Sequence, residues 1–113
     1  MSSTFLPESV CLFEHRLHNE LHAVVFKNRK DVLTIYAALS DDQRHRFVCN
    51  EIRSLNEPSC FLEAAEVLKV VLPDPISSFN IRRMALELLQ DLQQSQYDQV
   101  RRVTFDVISF TKL

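Results

Sequence analysis

No residue in this chain of 113 is glycine, although average usage would place about eight in a protein of this length. Glycine supplies positive φ angles and lets a backbone approach a ligand closely. Phosphate-cradling P-loops, dinucleotide fingerprints, nucleophile elbows and EF-hand loops all depend on it and are therefore excluded. Tight two-residue β-hairpins also lean on glycine, so a sheet-rich fold is disfavoured. Helices tolerate its absence, because they can end on Asn, and Asn28, Asn50 and Asn56 stand where such ends are needed.

Hydrophobic periodicity points the same way and predicts an all-α fold, a compact bundle of five or six short helices in one domain spanning residues 1–113. Leu6-Pro7-Glu8-Ser9 reads as a helix entrance, and Val10, Phe13, Leu17, Leu21 and Val24 then recur at three- and four-residue steps, which predicts a helix over 8–27. Asp31 is the expected cap of a second helix over 31–39, with Val32, Ile35, Tyr36 and Leu39 on one face. Ser40-Asp41-Asp42-Gln43 has the form of a capping box and opens a third helix over 41–55.

Residues 60–72 form a fourth predicted helix, apolar nearly all round apart from Glu63, Glu66 and Lys69, as suits the centre of a bundle. Pro73-Asp74-Pro75 stops it, since each proline lacks a donor and restricts the residue before it. Ile81, Met84, Ala85, Leu88, Leu89 and Leu92 carry the strongest amphipathic pattern, over 77–93. The last predicted helix covers 96–110, with Ser95 as its expected cap. Its second half is rich in β-branched and aromatic residues, which leaves a terminal strand over 103–113 as the alternative.

Size and composition bound the function. A chain of this length builds one hydrophobic core, and 46% hydrophobic with 25% charged residues is ordinary globular composition. The formal net charge of −2 gives no global field that would draw the molecule to nucleic acid or anionic lipid. Three unpaired-looking cysteines, Cys11, Cys49 and Cys60, fit free thiols in a reducing compartment. The first residues lack a basic and apolar leader pattern, and no apolar run approaches the roughly 20 residues that span a bilayer. A cytoplasmic or nuclear protein without membrane contact is the expectation.

An echo links two segments in the last third of the chain. Asn80-Ile81-Arg82-Arg83-Met84-Ala85 and Gln99-Val100-Arg101-Arg102-Val103-Thr104 repeat an apolar-Arg-Arg-apolar-small pattern. Together with Asp98 ahead of Val100-Arg101, this resembles the signature of HEAT-type helical repeats. The resemblance implies a scaffold for protein contacts with no chemistry of its own.

Three sets of residues are candidates for function. Phe13, Leu17, Leu21, Val103, Val107 and Phe110 offer apolar helix faces for another protein or a second copy of the chain. Lys27, Arg29, Lys30, Arg44, Arg46, Arg82, Arg83, Arg101 and Arg102 would bind phosphates, with duplex RNA as the natural target, if the fold gathers them on one face. Cys11, His15, His18 and His22 share a helical stripe at steps of four, three and four and are zinc-ligand types. One straight helix cannot wrap four ligands into a tetrahedron, so closure would need Cys49, Cys60 or a second copy. No nucleophile context or paired carboxylate suggests catalysis, and Asp41/Asp42 are explained by a helix N-terminus. The sequence thus predicts a non-enzymatic interaction or regulatory module without a cofactor, with nucleic-acid binding and a zinc-stabilised domain as alternatives.

Overall fold

The computed structural model describes residues 8–111, and within these every regular element is a helix: α1 (Glu8–Val24), α2 (Arg29–Ala37), α3 (Asp41–Ser54), α4 (Phe61–Val71), α5 (Phe79–Leu92) and α6 (Asp98–Phe110). No described residue has a positive φ. The glycine-free chain thus ends its helices without left-handed caps. Instead the final carbonyls accept tighter bonds from amides three residues on, as Leu39 to Tyr36, Asn56 to Arg53, Gln94 to Asp91 and Thr111 to Ile108 show.

Several predicted boundaries and caps need correction for this reason. Asn28 does not close α1, which ends at Val24. It caps the start of α2 by accepting from the Lys30 amide at 3.0 Å, so α2 begins two residues before the expected cap Asp31. Asn50 lies inside α3, and Asn56 in the turn after it. Ser95 accepts from the Tyr97 amide in the preceding turn, so α6 starts at Asp98 with Tyr97 as its cap. The Ser40/Gln43 capping box forms as expected, and Ser78 caps α5 through the Ile81 amide.

The terminal segment is helical, and the buried residues say why. Val100, Thr104, Val107 and Thr111 are buried, at steps of four, three and four. Strand alternation would instead have put Asp106 on the same side as Thr104.

The helices form three hairpins in sequence order, and each stacks on the next. α1 packs on α2, α3 on α4 and α5 on α6, while α3 also touches α1 and α5, and α4 touches α1, α2 and α6. Their directions follow from side-chain contacts. Lys69 late in α4 pairs with Asp106 late in α6 at 2.8 Å, and Phe61 at the start of α4 shares a cleft with Val100 at the start of α6. α4 and α6 therefore run the same way, and α5 returns between them.

Helix α4 is the central element, with Ala64, Ala65, Val67, Leu68, Val70 and Val71 all buried. Its C-terminal end is tied to α2 by a buried relay. Ser77 Oγ donates to the Val71 carbonyl at 2.7 Å and so has no hydrogen left for Tyr36, whose hydroxyl must donate to Ser77 Oγ, also at 2.7 Å. On the other side Arg44 donates to the carbonyls of Ala37 and Leu39, satisfying the end of α2. These ties hold α2 and α4 in register, and α1 is then laid across α3, where the candidate site forms.

Candidate functional site between helices α1 and α3

Glu51 is the anomaly from which the site is built. It follows Phe47 and Val48 by four and three residues and precedes Leu55 by four, so helical spacing puts a carboxylate on the core-facing stripe of α3. The structure buries it completely, beside Phe47, Val48 and Ile52. A buried carboxylate needs partners. They come from α1, where His18 and His22 are one turn apart and point at the same place.

His18 Nδ1 lies 2.6 Å from Glu51 Oε2, and His22 Nε2 lies 2.6 Å from Glu51 Oε1. Each ring nitrogen donates to its own carboxylate oxygen, so both oxygens are satisfied. The two rings tilt against each other with centroids 3.9 Å apart. Burial pushes the Glu51 carboxyl up, but hydrogen bonds from His18 and His22 outweigh it and hold the group below its ordinary value. His18 is pushed up chiefly by its bond to Glu51, against the opposing effect of burial, with further help from the charges of Glu51 and Glu63.

Beside this cluster a cleft of about 250 Å³ opens between α1 and α3. Leu17 and Phe47 supply its apolar floor, Phe13 stands at its lip, and His18 and Glu51 form part of its wall. Glu14 spans the cleft from α1 and accepts from Arg46 Nε and Asn50 Nδ2, both at 3.0 Å. The junction of the two helices is therefore fixed at two levels, one inside and one at the rim.

The predicted site residues divide. Of the four-residue metal stripe, His18 and His22 converge with Glu51, and the ligand atoms of the three lie within 4.8 Å of one another. His15 stays outside the cluster, exposed at the rim of the same cleft, where it meets Asn19. Cys49 and Cys60 are free thiols and do not join the cluster, and the side chain of Cys11 lies outside the described residues. Two imidazoles and a carboxylate are a ligand set for zinc-class ions. Glu51 belongs to none of the three sequence-predicted sets. The available signal was its place in the apolar register.

The apolar set divides too. Leu17, Leu21 and Val107 are buried in the core, and Val103 packs against it. Leu21 and Val107, fully buried, contribute no outward face, which corrects the expectation for them, whereas Leu17 also lines the α1–α3 cleft. Phe13 and Phe110 are 41% and 40% exposed and remain at the surface.

Several of the basic residues are engaged within the chain. Arg46 pairs with Glu14, Arg83 with Glu87, and Arg101 and Arg102 with Asp98, while Arg44 is spent on the end of α2. Arg82 and Arg83 lie near the start of α5 and Arg101 and Arg102 near the start of α6, so the antiparallel pairing puts these doublets at opposite ends of the hairpin. Lys27, Arg29 and Lys30 are exposed at the α1–α2 turn. No described helix is long and apolar enough to cross a membrane.

Comparison with known proteins adds no analogy: no family model, no curated protein and no solved structure matches the chain.

Proposed function

We infer that the chain is a non-enzymatic docking module that receives an apolar side chain of a protein partner in the α1–α3 cleft. The observation that carries this reading is the make-up of the cleft, with an apolar floor of Leu17 and Phe47 inside a polar rim of Glu14, Gln43, Arg46 and Asn50. Binding energy at protein interfaces concentrates where an apolar anchor enters a pocket ringed by polar groups. Glu14 and Arg46 neutralise each other, so the cleft selects by shape and apolar contact more than by charge.

A second copy of the chain is the first partner to test. Leu12 and Phe13 are both exposed on α1, beside the cleft, so one copy offers an anchor where the other offers a pocket, as a twofold interface requires. The stacking of three hairpins supports the same reading, because such stacks leave extended outer faces for contacts, as the HEAT-like echo implies. A reducing location, cytoplasm or nucleus, goes with the free thiols of Cys49 and Cys60.

Sedimentation velocity over a wide concentration range, joined to selection of binding peptides from a random library, tests the reading. The expected result is self-association or peptide binding that Phe13→Asp weakens tenfold or more. A monomer at every concentration, with selected peptides that bind Phe13→Asp as tightly as the parent chain, overturns it. Duplex RNA at low salt is the competing probe, and binding abolished by Arg101→Glu would move the function to nucleic acid.

A further inference from the structure

We propose that His18, His22 and Glu51 form a binding site for a single divalent ion of the zinc class, reached through the α1–α3 cleft. The ligand set meets the requirement that a stripe on one helix could not meet alone. His18 and His22, four residues apart, present two imidazoles on the same side of α1, and Glu51 closes the third corner from α3. His18 and Glu51 line the cleft, which leaves the fourth position to water or to a group brought in by a partner. Three protein ligands with one open position is the pattern of an accessible zinc site.

The distances define what binding must change. The ring nitrogens stand 2.6 Å from the carboxylate oxygens, a hydrogen-bonding separation. Ligand atoms around a tetrahedral zinc ion are about 3.3 Å apart, given bonds of roughly 2.0–2.1 Å. The ion takes the place of the hydrogens that His18 Nδ1 and His22 Nε2 direct at Glu51, and each neutral ring then carries its hydrogen on the other nitrogen. The contacts to Glu51 must lengthen by less than about 1 Å, and the farthest pair of ligand atoms, within 4.8 Å, must close by up to about 1.5 Å; the one-quarter exposure of the His18 side chain leaves it room to move. Glu51 already directs one oxygen at each imidazole, so its lone pairs face the position that the ion would take.

This site is independent of the docking reading, since a cleft can bind a peptide without metal and a metal without a peptide. The test uses the full chain, purified without a histidine tag and stripped with chelator, then equilibrated with zinc chloride and assayed by elemental analysis after dialysis. One zinc per chain is expected, with at least tenfold weaker binding in His22→Gln and Glu51→Gln and no change in His15→Gln. Cobalt(II) in place of zinc should give the intense visible bands of a four-coordinate ion. Because Glu51→Gln could unfold the protein, nitrogen NMR of the unmutated chain gives a second readout. Zinc should shift His18 Nδ1 and His22 Nε2 while leaving His15 and His45 unmoved. Substoichiometric zinc, or shifts confined to His15 and His45, overturns the site and leaves the cluster a hydrogen-bonded tie between helices.

Discussion

Replacing Glu51 by Gln isolates the charge that holds α1 against α3, because the two side chains have nearly the same shape. In the parent chain both carboxylate oxygens accept from imidazoles at 2.6 Å. Gln can accept from only one of them, and it presents an NH2 group to the other, which must then change tautomer to accept. The substitution removes the charge assistance from two hydrogen bonds, each worth about 1.5–3 kcal/mol with a charged partner against about 1 kcal/mol without one. Allowing for the part of His18 that solvent reaches, the net loss is about 2 kcal/mol. For a domain of this size that lowers Tm by roughly 8 °C. Urea denaturation of chelator-treated protein at neutral pH measures the loss directly, and the slope should stay constant because the surface exposed on unfolding does not change. The same substitution made together with His22→Gln should cost less than the sum of the two single losses. A Glu51→Gln protein within about 0.5 kcal/mol of the parent would refute the view that this cluster fixes the junction.

Two further predictions probe the core. Burial pushes the Tyr36 phenol up to about 12, against an ordinary value near 10, so the contribution of the protonated phenol is fully present below about pH 10 and is lost as pH rises through about 12. In a Tyr97→Phe protein, where Tyr36 is the only remaining tyrosine, the ultraviolet absorbance of tyrosinate should appear late and together with unfolding, and its appearance in a folded protein near pH 10 would contradict the burial argument. Thr104 is fully buried and its hydroxyl has no hydrogen-bond partner, so Thr104→Val should stabilise the chain by about 1 kcal/mol, and a lower Tm would show that the hydroxyl is satisfied.

Much of the architecture was legible because helix formation depends on local periodicity. The all-round apolar character of residues 61–72 announced the central helix, and the Ser40/Gln43 pair announced a start that the structure makes with both reciprocal bonds. The helix ends were less legible. With no glycine available, Asn was the expected substitute in left-handed caps, but none occurs among the described residues and the helices close with tighter turns, which leave no residue signature. Residues 103–110 were ambiguous because their β-branched content suits a strand locally, and only packing on α4 and α5 decides for the helix.

The candidate site was half legible. His18 and His22 stood out by their spacing, but His15 shares their stripe and stays at the exposed rim of the cleft, outside the cluster. Glu51 and the Glu14–Arg46–Asn50 link join residues 29 to 36 positions apart, and no periodic pattern encodes such a pairing. Nor could sequence say that Leu21 and Val107 would be consumed by the core while Leu17 reaches the floor of the cleft. That outcome depends on which helix faces meet.

The central claim, that the α1–α3 cleft is the docking surface, is tested most directly by mapping amide shifts in the nitrogen-labelled chain as a selected peptide is added. Docking there places the largest changes on Phe13, Leu17, Gln43, Arg46, Phe47 and Asn50. Changes centred instead on Leu55, Phe61, Tyr97 and Val100, which line the separate cleft between the α3–α4 turn and α6, would contradict it.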